Sequence, residues 1–305
     1  MLINPQLLSQ LAPLELKARH IVEGFISGLH KSPYYGFSVE FAEHRPYNPG
    51  DDFKHIDWKA YAKSERFYVK QYEEETNLRA YLLLDTSSSM LYKYYSEWSK
   101  LRYAIHFGAA LMYLMHRQRD ACGLIPFNTE VESFIPAKST YPHLRMLLTE
   151  LERWLNREED MEHRRQTASA KVLHEVAERL KHRSLVIVLS DLFENVGEQD
   201  ELLSALKHLR HRHHEVILFN IMEKRSEREL DLPDKKFVLE DLETGGNIEV
   251  LPAQIREDYR KKMEEYIHRF SMACSEAKID FEQVDSQDAF DRALLAYLNK
   301  RKRLG

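Results

Sequence analysis

The chain has 305 residues, of which 43% are hydrophobic, 11% aromatic and 30% charged. That composition excludes a disordered chain and supports a large core in a folded protein. Forty-four basic residues against 49 acidic ones leave a net charge of -5, which argues against broad nucleic-acid binding, since that relies on a clustered basic excess. The basic end, Lys300-Arg301-Lys302-Arg303, reads as a solvated helix terminus, where cations suit the dipole.

Cys122 and Cys274 are the only cysteines, too few for a disulfide framework, so a reducing compartment is expected. No signal-peptide pattern opens the sequence. The most apolar early stretch, Leu14 to Leu29, is broken by Glu15, Lys17, Arg19, His20 and Glu23. No segment approaches the ~20 uncharged residues of a membrane span. The expectation is a cytoplasmic protein with no transmembrane segment.

Leu14, Ala18, Ile21, Val22, Phe25, Ile26 and Leu29 recur at helical spacing and predict an amphipathic helix. Alternation predicts strands at Ser38–Glu43 and Phe67–Tyr72, with a short helix near Trp58 between them. Residues 1–77 are taken as an N-terminal module. From Leu78 onward, apolar runs at Ala80–Leu84, Cys122–Phe127, Leu185–Leu189 and Val216–Ile221 alternate with helical patterns. Those helices are Lys100–Met115, Pro142–Leu155, Ala168–Leu180 and Glu201–Leu209. A further strand fits Val131–Ile135. A hairpin turning at Gly245-Gly246, a helix Ala253–Cys274, a strand Ile279–Val284 and a helix Ala289–Asn299 complete the chain. Near-continuous apolar strands separated by helices predict an α/β domain over 78–305, doubly wound around a mostly parallel sheet.

Such sheets place ligands at the carboxyl ends of their strands. The first strand runs into Asp85-Thr86-Ser87-Ser88-Ser89, the strand at Leu185–Leu189 into Ser190-Asp191, and Thr167 stands just ahead of a helix. Asp85, Ser87, Ser89, Thr167 and Asp191 together suit a small hard cation such as Mg²⁺ (or Mn²⁺), which prefers an octahedral shell of oxygens. With mostly neutral ligands, the ion would stay electrophilic enough to recruit a carboxylate from another protein. The alternative is that these residues only cap helices and close turns.

This pattern resembles the metal-ion-dependent adhesion site of von Willebrand factor A domains, an Asp-x-Ser-x-Ser turn followed by a Thr and an Asp. The resemblance covers roughly 78–303 and implies a von Willebrand factor A-like fold that binds protein partners through a metal. The family's threonine usually follows glycine, whereas Arg165-Gln166 precede Thr167 here; Thr140 and Thr149 are the other candidates.

The stretch Arg45-Pro46-Tyr47-Asn48-Pro49-Gly50-Asp51-Asp52, continuing to Ile56-Asp57-Trp58, resembles the bacterial family known as domain of unknown function 58. Lys54 and Lys63 replace two arginines of that pattern, keeping charge without bidentate pairing. The signature reads first as a staple between module and domain. Members of the family are commonly encoded beside AAA+ ATPases of the MoxR type, which implies a non-catalytic accessory factor of such an ATPase.

His208, His211, His213 and His214 sit among basic neighbours and read as a surface rather than a zinc site. Tyr92, Tyr94, Tyr95 and Trp98 lie near the metal turn and fit packing or a contact surface. The rival functional reading is a metal-dependent hydrolase or phosphotransfer protein using Asp85 as nucleophile. Such proteins usually need a second acidic residue and a strand-end lysine, and no strand-end lysine is evident.

Overall fold

In the computed structural model the described residues are 13–30, 44–46, 61, 67–70, 78–158, 168–192 and 199–304. In chain order they form α1 (Leu14–His30), β1 (His44–Pro46), β2 (Tyr68–Lys70), β3 (Arg79–Asp85), α2 (Lys100–Arg117), β4 (Ala121–Phe127), β5 (Ile135–Lys138) and α3 (Tyr141–Arg157). There follow α4 (Ser169–Arg179), β6 (Leu185–Ser190), α5 (Gln199–His211), β7 (Glu215–Met222), β8 (Phe237–Glu240), β9 (Asn247–Val250), α6 (Pro252–Glu276), β10 (Asp280–Asp285) and α7 (Asp291–Leu304).

The main sheet has six strands in the order β10-β7-β6-β3-β4-β5, parallel throughout except that β5 runs antiparallel to β4. This is the expected α/β fold with a mostly parallel sheet. Its central strands carry the apolar runs because helices cover both faces and leave no solvated side. On one face Leu83, Val186, Val188, Val216 and Leu218 pack into one cluster with Val172 and Val176 of α4, Leu202 and Leu206 of α5, and Phe270 of α6. On the other, Phe107 of α2 meets Phe219 edge-on at 4.9 Å. There a Cβ added to Gly108 would come within 2.7 Å of the Leu82 side chain, so α2 lies close against β3.

Two expectations shift. The strand expected at Val131–Ile135 begins instead at Ile135, with Val131 making an isolated bridge to Phe127. Asn128 explains the delay: its side-chain oxygen accepts from Glu130 N–H and closes a turn directly after β4. Pro136 is tolerated because β5 is an edge strand. A helical stretch at Lys224–Arg228, with π-type bonding, was not legible as an element.

The chain divides into two compact units, residues 1–25 with 78–304, and residues 26–77. The opening helix, placed in a 1–77 module by the sequence reading, thus belongs up to Phe25 with the larger unit. Its apolar stripe of Leu14, Ala18, Ile21, Val22 and Phe25 is buried. Leu14 N–H donates to Glu152 of α3 at 2.7 Å, and the Tyr141 hydroxyl to Glu15 at 2.6 Å. In the smaller unit β1 pairs antiparallel with β2, His44 opposite Lys70, and the Tyr61 and Phe67 rings stack at 4.4 Å. Tyr47, Asp51, Asp52, Lys54, Asp57, Trp58 and Lys63 of the signature, with the strand expected at Ser38–Glu43, lie outside the described residues.

Candidate metal centre

The chain runs from β3 through α2 to β4 on one side, and later enters β6 on β3's other side. Connections therefore diverge at the carboxyl end of β3, the position where open α/β sheets bind ligands. Leu84 of β3 stands beside Leu189 of β6, so the residues that follow each strand meet at one rim.

Asp85 ends β3 and is fully buried. Its Oδ1 accepts from Ser87 N–H at 2.9 Å, which closes the turn, and its Oδ2 accepts from the Ser190 hydroxyl at 2.6 Å. The Ser190 oxygen also accepts from Leu192 N–H at 3.1 Å. Thr86 is a fastener between strands, its N–H and hydroxyl both donating to Phe127 O. Ser87 precedes a 3-10 turn at Ser88–Leu91, yet its hydroxyl caps nothing there. Instead Ser87 Oγ lies 3.0 Å from Ser89 Oγ. A capping role therefore accounts for Asp85 in part and not for the two serine hydroxyls.

Asp191 follows β6 and is buried. Leu192, next in line, adopts a left-handed backbone with φ 54°. A buried non-glycine residue there carries strain of about 1–2 kcal/mol, and it sits one residue from the candidate ligand. Asp191 Oδ2 accepts from Lys100 Nζ at 2.7 Å, and the same ammonium reaches Glu227 Oε1 at 2.5 Å. Burial, then the nearby Asp191 charge, pushes the Asp85 carboxyl up to about 7 against the opposing bonds from Ser190 and Ser87. Burial, and again Asp191, raises Glu227 above the carboxylate range although Lys100 opposes it. For Lys100 burial acts downward, but Asp191 and Glu227 outweigh it and hold the amine above its ordinary value. Carboxylates are thus crowded at one dry rim, a setting that favours an added cation.

The donor set fits a small hard ion. It is all oxygen, and the 3.0 Å between the two serine hydroxyls matches the roughly 3 Å edge of an octahedron with metal–oxygen bonds of about 2.1 Å. Among the described residues no group of three or more His, Cys, Asp or Glu side chains could hold a metal. An ion at this rim would depend on Ser87 and Ser89 beside Asp85 and Asp191.

Of the five candidate positions, Asp85, Ser87, Ser89 and Asp191 come together, while Thr167 lies outside the described residues. Its neighbour Ala168 is tied to the same rim, N–H donating to Asn128 O just past β4 at 3.2 Å. Thr149 is spent elsewhere, its exposed hydroxyl donating to Arg145 O within α3.

Sequence reasoning missed Lys100, Glu223 and Glu227. Lys100 had one signal, since a lysine at the first position of a helix opposes the dipole and calls for another partner. Glu223 is buried at the end of β7, and its Oε1 accepts N–H bonds from Tyr94, Tyr95 and Ser96 at 3.0, 2.8 and 2.6 Å. Burial alone would raise its carboxyl, but the Ser226 hydroxyl and these N–H groups hold it below the usual range. Glu223 so ties the loop after the metal turn to the sheet. In that loop Trp98 is buried and stacks on His106 at 4.4 Å, whereas Tyr94 is exposed.

Other expectations change. Lys300 and Arg301 are not a solvated terminus: Lys300 Nζ lies 2.9 Å from both Glu215 and Asp280, and Arg301 grips Asp120 at 2.6 and 3.0 Å. Nor is the histidine run all surface, because His214 is buried and His208 faces His174 with ring nitrogens 2.9 Å apart. Cys122 and Cys274 are buried free thiols, both pushed up to about 12 by burial.

A family model described as "Protein of unknown function DUF58" matches residues 43–269. Uncharacterized proteins of Mycobacterium tuberculosis and Mycobacterium bovis are 24% identical over 268 residues, covering 85% of this chain and 78% of theirs. Among solved structures, the conserved hypothetical protein BatB of Bacteroides thetaiotaomicron aligns with TM-score 0.46 at 17% identity, over 74% of this chain and 99% of that one. An aerotolerance-related membrane protein of Bacteroides fragilis gives 0.45 at 18%, over 73% and 99%. An uncharacterized membrane spanning protein of Vibrio fischeri gives 0.26 at 14%, over 72% and 96%. Two of these three proteins are described as membrane proteins, and the cytoplasmic placement expected from the sequence is withdrawn. Among the described residues no helix is long and apolar enough to cross a membrane.

Proposed function

The chain belongs to the family described as "Protein of unknown function DUF58", and we propose that within it this protein binds other proteins through a divalent metal and catalyses no reaction itself. The larger unit is read as von Willebrand factor A-like and its rim as a metal-ion-dependent adhesion site. The observation that carries this reading is the paired serine hydroxyls beside Asp85, with Asp191 arriving from the adjacent strand.

Bound Mg²⁺ or Mn²⁺ would supply an electrophilic point able to accept a carboxylate from a partner. The chain's own residues do the rest. Ser87 and Ser89 present neutral oxygens, Asp85 fixes the turn that aligns them, and Asp191 adds negative charge from β6. Thr167 completes the proposed set. The partner is expected to contribute a Glu or Asp side chain; a MoxR-type AAA+ ATPase is the partner that the family resemblance implies, with this chain as its accessory factor in maturing other proteins.

One observation favours the phosphotransfer reading, namely a lysine within reach of an acidic strand-end residue. Against it, both oxygens of Asp85 already accept hydrogen bonds in a buried position, which makes a poor nucleophile. Incubation with acetyl phosphate separates the two, since only the rival reading expects a phosphorylated Asp85.

The test of the main reading is co-purification of the full-length chain with the ATPase in Mg²⁺ and in chelator. Capture should depend on the ion, and Asp85→Ala should abolish it while leaving the circular dichroism spectrum unchanged. Equal capture with chelator, or with the variant, would refute the proposal.

A further inference from the structure

We propose that Lys100 is a tethered counter-cation of the candidate metal centre, an ammonium that a divalent ion must displace from Asp191 before it can bind. The inference rests on the metal-binding reading and adds to it the residue that sets the affinity.

Three observations carry it. Lys100 Nζ contacts Oδ2 of Asp191, one of two carboxylates in the candidate ligand set, and both side chains are inaccessible to solvent. Its place is also unfavourable on its own terms. It is the first residue of α2, where the dipole repels a cation, and buried lysines are rare unless paired. The carboxylates are what hold it there. Third, the ammonium has somewhere to go. Glu227 lies on its other side at 2.5 Å, and the Tyr92 ring centroid is 5.4 Å away. When Asp191 turns to a divalent ion, Lys100 can keep Glu227 and a ring face as partners. Glu227 sits on the π-type turn Lys224–Arg228, an irregularity that recurs at functional sites.

A monovalent ammonium and a divalent ion in contact with one carboxylate repel each other strongly in a dry site. The two are therefore alternative occupants, and the resident lysine keeps apparent affinity low until something favours the exchange. The other carboxylates of the rim do not share this arrangement: Asp85 accepts from Ser87 and Ser190, and Glu223 from backbone N–H groups.

The test is a Mn²⁺ titration of the full-length protein by calorimetry, with thermal unfolding alongside. Lys100→Met should bind Mn²⁺ about tenfold or more tightly than the unchanged protein, because a competing charge has been removed. It should also unfold early in chelator and recover with Mn²⁺, as the ion takes over the lost charge. Glu227→Gln is the second variant. It removes one of the two carboxylates that share the ammonium and so strengthens its hold on Asp191, and Mn²⁺ binding should weaken roughly fivefold. Binding by Lys100→Met no tighter than normal overturns the inference while the metal reading stands. So does a Lys100→Met protein that stays unfolded at saturating Mn²⁺, or unchanged binding by Glu227→Gln. If neither the unchanged chain nor Lys100→Met binds Mn²⁺ at millimolar concentration, the metal reading falls and takes the inference with it.

Discussion

Two buried lysines bridge two carboxylates each, at opposite ends of the same parallel sheet. Lys300 lies where β7 and β10 begin, between Glu215 and Asp280. Lys100 lies at the far rim, between Asp191 and Glu227. The pairing chemistry is the same, but the surroundings are not. Glu215 also has Arg210 and Arg183, Asp280 also has Arg303, and the two carboxylates keep 15% and 25% of their side-chain surface exposed. At the rim the corresponding exposures are 0% and 10%, with Asp85 close enough to Asp191 for the two to repel. One end is wet and redundantly paired, which suits a fastening. The other is dry, with one ammonium shared between two carboxylates, which suits a binding site.

The largest effect should come from removing the rim lysine. In chelator, Lys100→Met takes the ammonium away from two buried carboxylates, and urea denaturation should show a loss of roughly 3 kcal/mol or more. A loss under about 1 kcal/mol would erase the distinction between the two ends. Asp85 gives the next effect, through pH. Its folded value near 7 stands above the ordinary unfolded value of about 4, so the folded state keeps a proton that the unfolded state has released. Stability in chelator should therefore be greatest below pH 4 as far as Asp85 is concerned, and fall as pH rises through about 7. Asp85→Asn should flatten that fall and add on the order of 2 kcal/mol at pH 8; a pH profile identical to that of the unchanged protein would contradict the crowded-carboxylate picture. Lys300→Met should be mildest, about 1 kcal/mol or less, because arginines still serve both carboxylates. Its loss should also be indifferent to Mn²⁺, and a metal-dependent loss would blur the contrast.

The sheet was legible because its central strands are buried on both faces and so read as unbroken apolar runs, as in Leu185–Ser190. Edge strand β5 was not, because it carries Pro136 and alternates weakly, and a turn at Asn128 delays its start. At the rim, Asp85, Ser87, Ser89 and Asp191 were found because strand-end position gives polar residues meaning. Lys100 escaped because a lone lysine opening an apolar helix looks like a boundary residue. Glu223 and Glu227 lay inside a run of alternating charges, Glu223-Lys224-Arg225-Ser226-Glu227-Arg228, which reads as solvated surface. Only the three-dimensional fold shows that two of its members point inward. The division at residue 77 put the first helix in the N-terminal module, whereas it groups up to Phe25 with the larger unit, since chain order says nothing about which unit covers an apolar stripe.

The loop from Tyr94 to Ser96 is tied by three N–H bonds to the single carboxylate of Glu223. Segments that border a binding rim commonly lose freedom when a visitor arrives, and that loss is subtracted from affinity. Here the freedom has been surrendered already, during folding, and Tyr94 stands exposed on a backbone that is set in advance. A visitor to this rim would meet a shaped contour rather than a segment still to be arranged.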